Sequence, residues 1–128
     1  MKVDTATPAD QANARLVTDF IDGWMAPGFD VADAYPRYLH PDAQVRMSEE
    51  HPMLHGCQAV VEAMQGFISA GGWVKSAITE EVFARGPLVV TIRTDVVTIP
   101  EQGDVTFRIA AAFIVKEGMI VEWAEFFI

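Results

Sequence analysis

Between Pro8 and Trp24 the apolar residues recur at helical spacing. Leu16, Phe20 and Trp24 lie along one line with Val17 and Ile21 beside them, which predicts an amphipathic helix laid on a core. Thr7 supplies an N-cap, Pro8 the first helical position and Asp10 the third residue after the cap, and "APGF" ends the helix. A shorter helix is expected over "VADAYPRYL" after Asp30, kinked or split by Pro36. "HPD" at 40 to 42 reads as a turn, "AQVRM" as a short strand and "SEEHPMLHG" as a loop. From Cys57 to about Ala70, Val60, Val61, Met64, Phe67 and Ile68 mark a third helix, closed by Gly71 and Gly72.

After Gly72 the period changes from 3.6 to 2. Strands are expected at about 73 to 84, 88 to 99, 105 to 116 and 119 to 127, separated by "RGP", "PEQGD" and "EG". Helices followed by a strand meander predict an α+β fold, with about three helices on one side of a curved antiparallel sheet. The 128 residues form one domain, 1–128, ordered apart from its first few residues.

Composition narrows the partners. A net charge of −9 opposes phosphate backbones and anionic lipid, so neither nucleic acid nor membrane is an expected partner. "MKVDTATPADQ" has no signal-peptide core and the longest apolar run, "IAAAFIV", is too short to span a bilayer, so a cytoplasmic protein is expected. Cys57 is the only cysteine and reads as a small buried residue, which rules out an intrachain disulfide. In "EEHPMLH", His51 and His55 would need a helix to converge on a metal, and Pro52 disfavours one; no metal and no cofactor are expected, and the histidines are read as loop residues that can line a pocket mouth. Trp24, Trp73 and Trp123 read as core.

Candidate chemistry starts in "TIRTDVVTIP". In a strand Arg93 and Asp95 share one face, flanked by Thr91 and Val97. The last strand repeats the anomaly, with Val121, Trp123, Glu125 and Phe127 on one side. A hairpin turn at Glu117-Gly118 pairs Lys116 with Met119, Trp123 with Ala112 and Glu125 with Ala110. If Ile99 pairs with Thr106, Asp95 also faces Ala110 and Arg93 faces Ala112, which sets the two carboxylate strands roughly 9.5 Å apart with Arg93 between them. Two desolvated carboxylates raise the pKa of at least one, while the arginine holds the other ionised: one acid and one base. A buried ion-pair network without chemistry is the competing reading.

These residues look familiar. "VVTIRTDVVTIPEQGDVTFRIAAAFIVKEGMIVEWAEFFI" resembles the limonene-1,2-epoxide hydrolase family, within the superfamily that holds nuclear transport factor 2, ketosteroid isomerases and polyketide cyclases. The resemblance implies a cone-shaped sheet with helices on its concave side. It also implies cofactor-free addition of water to a small apolar epoxide. By the same resemblance Asp95 of the R-x-D strand would be the base that activates water, Arg93 the bridge and Glu125, in the final W-x-(D/E)-(Y/F)-F strand, the acid. The family's tyrosine and asparagine that hold the water with the base correspond here to Val45 and Met47 or to Arg46 and Ser48, depending on one loop residue. Met47, Ser48 and Trp123 are therefore the expected substrate-pocket residues. A ketosteroid-isomerase base would fall at about Met47, which takes no proton. A cyclase-type proton transfer from a carbon acid, with Asp95 as base, and a non-catalytic binder of a small apolar molecule are the alternatives. The sheet's outer surface, with Val90, Ile92 and Val96, or Phe107, Ile109 and Phe113, is too apolar for water, so a homodimer is expected.

Overall fold

The structure is a computed structural model describing residues 7–128 and the backbone of residues 2–5. Helix α1 (Pro8–Gly23) starts where the sequence requires: the Thr7 hydroxyl accepts from the Asp10 N–H at 3.1 Å, and Pro8 occupies the first turn. The helix is tied to the turn at Gly86, whose N–H donates to Asp10 Oδ1 at 2.8 Å and whose carbonyl accepts from Asn13 Nδ2 at 3.0 Å. Helix α2 (Val31–Tyr38) is capped by Asp30, and α3 (Cys57–Ser69) begins at Gly56. Pro36 does not split α2, because the helix continues only two residues beyond it.

The strands are β1 (Lys2–Thr5), β2 (Leu39–Arg46), β3 (Leu54–His55), β4 (Trp73–Arg85), β5 (Leu88–Ile99), β6 (Gly103–Lys116) and β7 (Met119–Phe127), in the sheet order β1-β4-β5-β6-β7-β2-β3. The fold is α+β, three helices on a curved sheet, and the β4-to-β7 meander is antiparallel. Its flanks differ from the all-antiparallel expectation: β1 pairs with β4, and β2 with β7, in parallel. Lys2–Thr5 thus forms an edge strand, although the first few residues were expected to be unordered; for Met1 and Ala6 that expectation lies outside the described residues. The "HPD" segment is not a free turn but part of β2, which is irregular between Leu39 and Gln44.

The core lies between helices and sheet. Val17, Phe20, Ile21 and Trp24 of α1, Val31 and Tyr35 of α2 and Val60 and Val61 of α3 pack on Val82, Val89, Phe113 and Trp123. Aromatic contacts fix its centre: Trp123 stacks on Phe113 at 5.7 Å and on Trp24 at 5.7 Å, and meets the Phe20 edge at 5.2 Å. Cys57 is buried, and burial pushes its thiol up from the ordinary value, the behaviour of a small core residue. Among the described residues, no helix is long and apolar enough to cross a membrane.

Candidate active site

Strand register decides which side chains meet. At the β6–β7 turn Glu117 and Gly118 both have positive φ, and Lys116 pairs with Met119 as the two-residue hairpin requires. A bulge follows, since Val115 pairs with Ile120 but Ile114 with Glu122, leaving Val121 over. Trp123 therefore faces Phe113 and Glu125 faces Ala111, one residue away from the expected Ala112 and Ala110. The β5–β6 connection is tighter than expected. Gln102 N–H returns to the Ile99 carbonyl at 3.0 Å, so Ile99 pairs with Gly103 rather than Thr106, Arg93 with Ile109 and Asp95 with Phe107.

The two carboxylates consequently do not share a row. On the inner face Glu125 lies beside Ala111 and Thr91, Asp95 lies beside Phe107, and the row between them holds Arg93, Ile109 and Phe127. Arg93 bridges along the diagonal. Its Nε donates to Asp95 Oδ1 at 3.0 Å, and its Nη2 lies 2.8 Å from Asp95 Oδ2 and 2.7 Å from Glu125 Oε2. Trp123 Nε1 donates to the same Glu125 oxygen at 3.1 Å. Both Asp95 oxygens are thus engaged, whereas among the described residues Glu125 Oε1 has no hydrogen-bond partner.

All three groups are buried, Arg93 at 0%, Asp95 at 2% and Glu125 at 7% exposure. Trp24 lies against the guanidinium, its ring centre 5.1 Å from Cζ. Burial works against the Arg93 charge, but Glu125 and Asp95 more than offset it and hold its pKa above the ordinary arginine value. At Glu125, burial wins: it raises the carboxyl above 4.5 against the pull of Arg93 and the Trp123 N–H, and the Asp95 charge adds to the rise. Tyr35 is buried nearby, and burial together with the Glu125 charge keeps its phenol protonated.

Above the cluster opens a cavity of about 560 Å³, with Trp24, Tyr35, Trp73, Phe107 and Phe127 among its aromatic walls and Met64 and Phe67 supplied by α3. Arg93, Asp95, Glu125, Met47 and Trp123 all line it. Ser48 does not. It is buried at 1% exposure with its hydroxyl turned into its own loop, accepting from the Glu50 N–H at 3.2 Å and bonding His51 Nδ1. Val45 is in the core and Met47, the residue after β2, is in the cavity wall, whereas Arg46 lies over Phe126, 5.7 Å from the ring centre. Because β2 pairs with β7, with Arg46 beside Ala124, these two positions flank Glu125 rather than Asp95. Val45 and Met47 are apolar, so neither side chain can hold a water there.

Of the two loop histidines expected to be able to line a pocket mouth, His51 lines the cavity and His55 does not. Tyr35 is a polar cavity residue that the sequence pattern did not single out, because it reads as one more apolar-face residue of a short helix; it meets the site through Trp123, the ring centres 6.3 Å apart.

Neither a family model nor a curated protein matches the sequence. Solved structures do match the fold. One is an LEH-like epoxide hydrolase from M. tuberculosis, 21% identical, with a TM-score of 0.80 over 94% of this chain and 86% of that one. Another is a candidate SnoaL-like polyketide cyclase from Jannaschia sp. CCS1, 17% identical, with a TM-score of 0.76 over 97% of this chain and 90% of that one. A third is an NTF2-like protein of unknown function from Burkholderia pseudomallei K96243, 15% identical, with a TM-score of 0.74 over 91% of each chain. At these identities the likeness establishes the nuclear transport factor 2-like fold.

Proposed function

We propose that the protein is a cofactor-free hydrolase that adds water to a small apolar epoxide, with Asp95 as base, Glu125 as acid and Arg93 as the bridge. The observation that carries this reading is the asymmetry of the carboxylates. Arg93 donates to both Asp95 oxygens, whereas at Glu125 the contacts among the described residues fall on Oε2 alone and burial pushes the carboxyl towards the protonated form. In the proposed step water forms a bond to an epoxide carbon and gives a proton to Asp95, while the carbon–oxygen bond breaks and the leaving oxygen takes the Glu125 proton. Proton exchange with solvent then resets the pair. The aromatic and aliphatic wall suits an apolar ring or chain.

No ester forms on this path. A single turnover in oxygen-18 water, with enzyme in excess over an epoxide it accepts, is expected to put the label into the diol at once. Unlabelled diol in that first turnover would mean that a carboxylate attacks carbon, and the direct-water mechanism would be lost.

One observation favours a second reading. Val45 and Met47 leave no polar partner on β2, so a carbon acid, whose reacting proton needs no positioned water, also suits the site. Asp95 would then remove a proton next to a carbonyl while Glu125 hydrogen-bonds the developing oxyanion. Solvent deuterium entering a ketone, with no epoxide opened, would select this reading.

We also propose that the working form is a homodimer through the outer sheet face. Phe107, Ile109 and Phe113 do not belong to that face: Phe107 and Ile109 line the cavity and Phe113 stacks on Trp123. The outer apolar rows are instead Val90, Ala112 and Ala124, and Ile92, Ala110 and Phe126. They are bordered by the Glu80–Arg108 and Lys75–Asp104 pairs, and no helix covers them. Sedimentation is expected to give a dimer at micromolar concentration; a monomer there would remove this proposal.

A further inference from the structure

We propose that His51 is a specificity-determining hydrogen-bond donor at the mouth of the cavity, and that the ligand is an apolar molecule carrying a neutral acceptor oxygen, such as a ketone, at the end remote from the reacting group. The proposal rests on the reading above in one respect, that the reacting group sits against Arg93, Asp95 and Glu125.

The location follows from burial. His51 lines the cavity and is nevertheless exposed, so it stands where the cavity opens, whereas the Arg93 cluster is buried within. Among the described residues, apart from that cluster and Tyr35, His51 is the one titratable side chain in the wall. A ligand that spans floor to mouth therefore meets a polar group at each end and apolar surface between them.

The orientation follows from Ser48. Its hydroxyl is buried and accepts from the Glu50 N–H at 3.2 Å, which leaves one hydrogen to place, and among the described residues its one acceptor is His51 Nδ1. A buried hydroxyl hydrogen without an acceptor is costly, so Ser48 donates and Nδ1 accepts. The proton of the neutral imidazole is then on Nε2, a donor with no protein partner. Ser48, expected to touch the ligand, acts here by positioning the residue that does. Glu49 and Glu50, the two residues before His51, are exposed and add negative charge to this loop, which works against a carboxylate ligand and makes a neutral oxygen the fitting acceptor.

The test compares decane-1,2-diol, whose head is the product group of the proposed reaction, with the same diol bearing a ketone at carbon 7, 8 or 9. Binding is followed through the fluorescence of the cavity tryptophans. At least one keto-diol is expected to bind roughly three- to tenfold more tightly than the plain diol, the range of one net hydrogen bond. That preference should vanish in His51→Phe, survive in part in His51→Gln, which keeps a donor, and shrink in Ser48→Ala, which frees the ring. Nitrogen-15 NMR of the unliganded wild type should show neutral His51 protonated on Nε2. Equal affinities in the wild type, a preference that survives His51→Phe, an Nδ1-protonated ring, or binding of neither probe would each overturn the proposal. The two readings fail separately: epoxide turnover without a ketone preference removes only the His51 proposal, whereas the preference without turnover removes only the epoxide chemistry.

Discussion

Arg93→Met will destabilise the protein by about 3–5 kcal/mol at neutral pH, the range seen when one partner of a buried charge pair is removed. Methionine fills much of the arginine volume, so the loss is electrostatic rather than a cavity effect. Asp95 and Glu125 lose the group that supplies three contacts of 2.7–3.0 Å, in a largely desolvated place where water replaces it poorly. Urea unfolding measures the change. Adding Asp95→Asn and Glu125→Gln to Arg93→Met removes the stranded charges and is expected to recover a large part of the loss, because an apolar or neutral core can match a buried ion pair. If Arg93→Met unfolds at the wild-type midpoint, the bridge is not what holds these strands together.

The second large effect is on rate. Asp95→Asn and Glu125→Gln are each expected to reduce turnover by roughly 10²- to 10⁴-fold, the usual contribution of a positioned base or acid, while leaving the fold intact. The pH dependence distinguishes their roles. An acid acts in its protonated form, and burial raises Glu125 above 4.5, so kcat/KM is expected to fall as pH rises through that elevated pKa. A rate that instead falls as pH drops through it would make Glu125 the base, the role its position beside Val45 and Met47 would suit if those residues held water. Stability carries the same sign. A carboxyl whose pKa is raised in the folded state contributes its full stability below the unfolded value of 4.5 and loses it as pH rises through the folded value. Glu125→Gln should flatten that part of the stability curve.

Much of this site can be read from alternation alone. A charge on a strand's apolar face is conspicuous, and Arg93, Asp95 and Glu125 stand out because, the Arg93–Asp95 pair itself aside, every residue two positions away is β-branched or aromatic. Pairing is harder to read. The expected register was off by three residues between β5 and β6 and by one between β6 and β7. Each shift alone would turn one carboxylate outwards; together they preserve the parity, so Asp95 and Glu125 still face the same side. What changes is the row, from opposed carboxylates over alanine to a diagonal bridged by Arg93. The parallel flanks were not legible, because β1 has four residues, β2 is irregular between Leu39 and Gln44, and the neighbours of both lie far along the chain. Ser48 and His51 show a further limit: a hydroxyl that binds its own loop looks, in sequence, the same as one that faces a ligand.

The bulge at Val121 gives the last strand an uneven tolerance to changes in length. Val115 meets Ile120 and Ile114 meets Glu122, so losing Val121 would straighten the ladder and leave Trp123 and Glu125 facing inwards. Nothing comparable exists two residues later. One residue inserted between Trp123 and Glu125 would carry the carboxylate to the outer surface, away from Arg93, with Trp123 still in place. Homologues of different length can therefore share this chemistry if they gain or lose residues on the turn side of Trp123, whereas the two-residue interval from Trp123 to Glu125 has to stay fixed.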